Sequence, residues 1–458
     1  MNIEKWTERA IARWVNGRAS TVRFAPSEHA GLGYEVGGDQ RPFDIAIPDR
    51  LRHTYILGAT GSGKTNLLIQ LIDRDIKAGR SVVVMDMRGD LIDGVLNRHA
   101  ERIDPAKLAL IDLRNPVVSS GLNPFQTAHD PYGAALHIHA ILRSSAESWG
   151  VQLDETLRCS LIALSYSRRS LADLPRLLSD ASFRSGVVTS NPDQQVADFF
   201  AKFEQLSTDR QIAWTLPVLN KVSAFLSHPT IRSILADRAP ADLVRTLDQP
   251  GSITLVALAT DRMHGLAGTF GCLVVSAVEN AVMARVDTPE EQRNPVHLYL
   301  DEFENFQSPA FESILAEGRR FRLGLTLSHQ NLHQLDTKLR HTITNNAATR
   351  IYFRTGHVDA RELGGELEAF GIKDAAKSLL RLPVGEAFVI DSGSTARHIA
   401  VHEAERLSAP KSAVQAIFEA LEEQTSSSAS VIETIQPKPI KHVRKPRAAK
   451  GKGGSDAS

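Results

Sequence analysis

The sequence predicts an α/β protein with a mainly parallel sheet, interrupted by an all-helical segment. Three observations carry this. Short apolar strands alternate with helical periodicity from Thr54 onward, strand character is missing between residues 130 and 247, and the alternation then resumes. The 458 residues are enough for two or three packed units, and 42% hydrophobic with 23% charged residues is ordinary globular composition.

Taken in order, residues 1–50 form an N-terminal element. An amphipathic helix, IEKWTERAIARWV, leads to Gly-rich turns, GLGYEVGG, and a strand, FDIAIPD. The Gly run is not a dinucleotide fingerprint, because no helix follows it. Residues 51–129 read as strand TYIL, helix NLLIQLIDRDIKAG, strand SVVVMDM, helix DLIDGVLNRHA and strand LALIDL. Such near-continuous apolar strands mark a parallel sheet covered on both faces. Residues 130–247 carry helical periodicity in GAALHIHAILRSSAE, ETLRCSLIALSYS, QQVADFFAKFEQL, LPVLNKVSAFLS and ADLVRTL, and read as an all-helical insertion.

Residues 248–408 return to the first pattern. Strand SITLVALA is followed by a long apolar helix, LAGTFGCLVVSAVENAVMARV, strand VHLYL, helix PAFESILAEGRR, strands LGLTLS and RIYFR, and a closing hairpin, VGEAFVIDSG with ARHIAVHE. A last helix spans 409–424, and residues 425–458 read as a Ser-rich linker and a disordered basic tail.

Formal net charge is zero, so only local patches can attract a polyanion. Cys159 and Cys272 fall in apolar helices and read as buried thiols, without disulfide or metal spacing. No run of 18 apolar residues occurs and the N-terminus is too charged for a signal peptide, so the expectation is a cytoplasmic protein without direct membrane insertion.

The chemistry begins at GATGSGKT: Gly58, Ala59, Thr60, Gly61, Ser62, Gly63, Lys64 and Thr65. Glycines let successive N–H groups turn inward onto phosphate oxygens, and the helix that starts there adds the positive end of its dipole. Lys64 reaches the β- and γ-phosphates of a nucleotide and the Thr65 hydroxyl takes a place on Mg²⁺. The strand before and the helix after are the context this mechanism needs.

VHLYLDEFENF then places Asp301 and Glu302 at the C-terminal tip of a buried strand, where ligands collect in open α/β sheets. Asp301 suits the metal and Glu302 suits the attacking water. The plainer alternative is a pair of acids opening a helix. The strand after it, LGLTLSHQ, ends on Gln330, whose amide suits the γ-phosphate or the water unless it merely caps the strand. Arg319, in GRRFR just before that strand, is either a solvated charge or a finger reaching a neighbouring subunit's nucleotide.

With the DMRGDL turn, AEGRRFRLGLTLSHQNLHQL and NNAATRIYFRTGHVDA added, the chain resembles the HerA–FtsK superfamily of ring-forming DNA-pumping ATPases over about residues 45–405. Within it, the sequence is most similar to type IV secretion and conjugation coupling proteins of the TraD/TraG kind. The resemblance implies a RecA-like P-loop ATPase core, ATP and Mg²⁺ as cofactors, DNA as the partner and a homo-oligomeric ring, a hexamer. It makes Lys64 and Thr65 the Walker A pair, Asp301 and Glu302 the Walker B pair, Arg319 the finger acting in trans and Gln330 the sensor.

One departure stands out. Coupling proteins of that branch usually begin with transmembrane helices, and this sequence shows none, which leaves a nuclease, a relaxase or a membrane-anchor protein as candidate partners. A second function class also stays open: a nucleotide-gated DNA-binding switch that recruits a DNA-processing or defence partner without translocating. Asp86 and Asp90 either shape their turn or face magnesium waters and the ring pore. Arg350 and Arg354 either brace a strand or touch a neighbour's phosphate.

Overall fold

The computed structural model describes residues 31–435 except 38, 127, 145–147, 190, 239, 264 and 394, with side chains described up to 425 save that of 237. The expected helix at IEKWTERAIARWV and the basic tail from Gln436 lie outside the described residues.

The strands are β1 (Gly33–Glu35), β2 (Pro42–Phe43), β3 (Thr54–Leu57), β4 (Ser81–Asp86), β5 (Leu108–Asp112), β6 (Ile253–Ala257), β7 (Val296–Asp301), β8 (Leu323–His329), β9 (Thr349–Phe353), β10 (Glu386–Ile390) and β11 (Ala396–Val401). Among the described residues they form one sheet in the order β2-β1-β11-β10-β9-β3-β8-β7-β4-β6-β5. From β9 to β5 every pairing is parallel. The strands from β10 outward pair antiparallel. The fold is a mainly parallel α/β sheet, as the strand–helix alternation predicts.

Both faces of the sheet are buried, and side chains divide between them with the two-residue period of a strand. Val83 and Met85 join one core with Phe270, Val274 and the helices between β5 and β6. Val82 and Val84 join the other with Leu67, Leu71, Ile92 and Phe418. The described elements between β5 and β6 are all helical. The helix Thr208–Leu226 carries Pro217 inside it, so it begins well before LPVLNK. Trp214 packs there against Phe199 and Phe203.

Three local expectations are corrected. FDIAIPD is not a strand: pairing stops at Phe43, and a proline-led helical turn, Ile47–Arg50, follows. GLGYEVGG is not merely turns, since β1 pairs with β11; a Cβ on Gly33 would stand 2.1 Å from the Ala400 carbonyl oxygen. The last helix runs from Lys411 to Ile435 through TSSSAS. Serine costs little in a helix interior, and no glycine or proline interrupts before Pro437.

The helix Leu266–Asp287 is long and apolar enough to cross a bilayer, but 78% of its apolar window is buried inside the protein. Cys159 and Cys272 are buried and free.

A buried ionic cluster ties the P-loop helix (Lys64–Lys77) to β7. Arg50 donates to Asp75 Oδ1 at 2.8 Å and Oδ2 at 2.5 Å, and Tyr299 donates to Asp75 Oδ2 at 2.5 Å. Burial alone would raise the Asp75 carboxyl, but Arg50, His297 and Tyr299 together hold the group below its usual range.

His297, beside this cluster, is pushed down from 6.5 to about 4 by burial. An unfolded histidine protonates at about pH 6.5, so below that pH the unfolded chain holds more protons. The stability from a neutral His297 is therefore complete above about pH 6.5 and is lost as pH falls toward about 4. The variant His297→Leu should lose about 3 kcal/mol less unfolding free energy than the wild type between about pH 7 and 4. Parallel stability curves in urea titrations would count against it.

Candidate functional site

The parallel register of three adjacent strands builds the site. Leu57 of β3 lies opposite His329 of β8, and Ser328 of β8 lies opposite Asp301 of β7. The residues that follow, Gly58, Gln330 and Glu302, therefore emerge side by side, on strands about 4.8 Å apart.

Gln330 joins the other two tips. Its Nε2 donates to Glu302 Oε1 at 3.2 Å, and its Oε1 accepts from Thr60 Oγ1 at 3.0 Å. The strand-end amide thus bridges the P-loop and the acid. Thr60, Gly61, Lys64, Thr65, Asp86, Arg88, Asp90, Leu91, Asp301, Glu302, His329 and Gln330 line one cleft of about 330 Å³.

The P-loop is closely packed. Gly63 has φ 123°, and a Cβ there would meet the Phe353 ring at 3.1 Å and Gly385 at 3.2 Å. Gly58 has no room either, with Phe353 Cβ at 2.6 Å and Ser62 Oγ at 2.7 Å from an added Cβ. Ala59 N–H donates to the Arg354 carbonyl at 2.8 Å, and Gly385 N–H to the Ser62 carbonyl at 2.9 Å. Lys64 Nζ donates to the carbonyls of Gly58 at 2.6 Å and Ala59 at 3.2 Å. Burial lowers the Lys64 ammonium below its usual range, while Asp301, Glu302 and Glu304 pull it back.

The acids crowd one another. Burial pushes the Asp301 carboxyl up to about 6, and the Asp86 charge on the neighbouring strand adds to it. Glu304 is pushed up to about 7 by burial, with Glu302 and Asp301 adding. Asp86 is itself raised by burial, although the N–H groups of Leu91 and Arg88 donate to it at 2.8 and 3.2 Å. It shapes the DMRGDL turn and also lines the cleft.

Among the described residues no group of three or more His, Cys, Asp or Glu could hold a metal alone. The donor set fits Mg²⁺, which takes one or two protein ligands and completes its shell with water and phosphate. Thr65 and Asp301 both line the cleft, and a cation there would relieve the carboxylate repulsion.

Glu302 has φ 52° and ψ 46°, a left-handed backbone that non-glycine residues rarely adopt. Such strain persists where surrounding packing over-determines it. Phe303 and Phe306, which follow, are fully buried, and the Phe303 ring lies 4.9 Å from that of His329. His329 Nε2 shares a hydrogen bond with Tyr55 Oη, and burial pushes its imidazole down to about 3.

The site does not include Arg319 of the same chain. It lies exposed in a 3₁₀ turn, Gly318–Phe321, before β8 begins, and its side chain has no hydrogen bond or ion pair among the described residues. Seven strand residues separate that end of β8 from the cleft, roughly 20 Å. Arg350 pairs with Glu366 at 3.0 Å and donates to the Thr344 carbonyl at 2.8 Å, so it braces its strand. Sequence reasoning missed Glu304, which lies in the same DEFENF stretch but whose partners come from the loop after β8. It also passed over His329, whose signal was the polar Ser-His-Gln ending an apolar strand.

The family described as "Helicase HerA, central domain" matches residues 32–132, and the one described as "TraM recognition site of TraD and TraG" matches residues 295–367. The DNA double-strand break repair helicase HerA of Saccharolobus solfataricus is 25% identical over 340 residues, 74% of this chain and 61% of that protein. The chain thus spans less than two thirds of that relative. Among solved structures, plasmid coupling protein TrwB in complex with the non-hydrolysable GTP analogue GDPNP is similar at TM-score 0.59 and 17% identity, over 86% of this chain and 98% of the chain in that structure. TrwB in complex with ADP and Mg²⁺ gives TM-score 0.58 and 16% identity, over 84% and 98%. These structural likenesses establish a shared fold.

The glycine geometry yields a test. Gly63→Ala should weaken binding of a fluorescent ATP analogue by about ten-fold or more, the cost of a left-handed alanine. Gly356→Ala, where an added Cβ meets nothing, should leave it unchanged. Equal affinities for the two variants would contradict the packing argument.

Proposed function

We propose that this chain, a P-loop ATPase of the HerA–FtsK superfamily close to the coupling proteins, moves DNA by hydrolysing ATP in a homo-oligomeric ring, a hexamer. The observation that carries the reading is the Gln330 bridge between Thr60 and Glu302. It joins the phosphate cradle to the acid suited to the attacking water, so both respond to whatever occupies the cleft. DNA as the polymer is supported by the likeness to the DNA double-strand break repair helicase HerA. The cofactors ATP and Mg²⁺ are supported by the cleft chemistry and by the nucleotide and Mg²⁺ bound in TrwB.

In this mechanism Lys64 exchanges the Gly58 and Ala59 carbonyls for β- and γ-phosphate oxygens. The N–H groups of Gly61 to Thr65 hold the phosphates at the start of the P-loop helix. Thr65 and, through water, Asp301 would hold Mg²⁺, which would supply positive charge against the phosphates. Glu302 orients and polarises the water, and Gln330 exchanges its bonds to Thr60 and Glu302 for one to the γ-phosphate. Arg319, before the N-terminal end of β8, completes the site of the next subunit in trans. The ring works in the cytoplasm, with a nuclease, a relaxase or a membrane-anchor protein as further partners.

Nucleotide binding, turnover and DNA displacement test this. Lys64→Ala should lose ATP binding, whereas Glu302→Gln should bind ATP yet turn over at least about a hundred-fold more slowly. The wild-type rate should rise when DNA is added, and the protein should displace a tightly bound roadblock from duplex DNA. ATP-dependent DNA binding without displacement would favour a nucleotide-gated switch.

Mixed rings of Arg319→Ala and Glu302→Gln subunits should regain a fraction of the activity that each variant lacks alone. Well-assembled mixed rings with no activity would sink the finger in trans, and so would full activity from a monomer.

A further inference from the structure

Glu304 takes no part in the mechanism above, yet it is half-buried beside the cleft and carries a short hydrogen bond. Its Oε1 accepts from Gln334 Nε2 at 2.6 Å. The amide oxygen of Gln334 accepts from the Asn331 N–H at 3.1 Å, closing a capping box on the 3₁₀ turn Leu332–Gln334. Asn331 directly follows Gln330, and Gln330 Nε2 returns to Glu302 Oε1 at 3.2 Å. Glu302 and Glu304 are separated only by the buried Phe303. The bonds therefore close a ring: Glu302, Phe303, Glu304, Gln334, Asn331, Gln330 and back to Glu302.

Two further bonds hold the loop around that ring. Gln307 Nε2 donates to the carbonyls of Glu304 at 2.9 Å and Gln334 at 3.2 Å. On the other side, the Leu332 N–H donates to Asp359 at 3.3 Å. A glutamine at a strand tip has three rotatable side-chain bonds, and its amide stays aimed only if the backbone beneath it is fixed. Within the ring, Gln334 supplies that fixing and Glu304 anchors Gln334.

We propose that Glu304 is a positioning residue for Gln330, acting through Gln334 to hold the loop after β8 against the tip of β7. This rests on the ATPase reading above and extends it to a residue outside the P-loop, acid-pair and sensor set. The bond needs an acceptor at Oε1 rather than a charge, so glutamine can replace Glu304. The raised Glu304 carboxyl accords with that.

The test uses the full-length protein with ATP, recording turnover, KM and the affinity for a fluorescent ATP analogue. Glu304→Ala should lower kcat by about ten- to a hundred-fold, the cost of a small misplacement of a catalytic group, with analogue affinity within about two-fold of wild type. Glu304→Gln should recover most of that loss. Adding Glu304→Ala to Gln330→Ala should cost little beyond Gln330→Ala alone, because both remove one device. Multiplying losses in the double variant, or a Glu304→Gln variant as slow as Glu304→Ala, would overturn the proposal. If Glu304→Ala does not fold, Gln334→Ala breaks the same bond from the other end and should give the same kcat loss; unchanged turnover there overturns it. A wild type that neither binds nor hydrolyses ATP would instead sink the underlying ATPase reading.

Discussion

The parallel pairing of β3, β8 and β7 is the constraint on which the rest depends. It brings the ends of three chain segments, far apart in sequence, to one edge of the sheet within two strand spacings. A one-residue slip in β8 would turn Ser328 and His329 to the opposite faces and remove Gln330 from the gap between Thr60 and Glu302. Register is held here by apolar residues buried on both faces, so the same packing that stabilises the sheet also sets the geometry of the cleft.

That geometry carries an electrostatic cost. Asp86, Asp301, Glu302 and Glu304 converge with Lys64 at the partly buried C-terminal end of the parallel strands, and the raised carboxyls of Asp301 and Glu304 express their burial first and the neighbouring acids second. The fold contains the strain by fixing backbone around the acids. Phe303 and Phe306 lock the left-handed Glu302, and the turn that carries Asp86 is bound by its own N–H groups. Elsewhere the charges are matched, as in the Arg50–Asp75–Tyr299 cluster beneath the P-loop helix. Matched buried charges hold elements together, and the unmatched ones lie where the function proposed above would put a cation and a polyphosphate.

How much of this was legible in the sequence depends on whether a residue's role is local. GATGSGKT is legible because each glycine answers to a turn within eight residues. Val82 to Met85 read as a central strand because both their faces are buried. Asp301 and Glu302 were legible as a pair since their strand announces its own end. By contrast, β1 lies hidden in GLGYEVGG because its partner, β11, is more than three hundred residues away and Gly33 is needed for backbone approach. The role of Glu304 was hidden for the same reason, its partner Gln334 arriving only through the β7–β8 pairing. The helix through TSSSAS is hidden because a serine run reads as a linker, although serine's penalty inside a helix is small.

The two ends of β8 face different places. Gln330 leaves its C-terminal tip into the chain's own cleft, while Arg319 stands exposed before its N-terminal end, roughly 20 Å away. A strand buried in a sheet, with neighbours hydrogen-bonded on both sides, is among the stiffest elements a protein has. In the ring proposed above, displacement of Gln330 by phosphate at one site would be felt along β8 by the arginine presented to the next. A loop joining the same two residues would absorb that displacement. In that proposed ring, a sensor at one end of a central strand and a finger just before its other end would let neighbouring sites fire in sequence rather than independently.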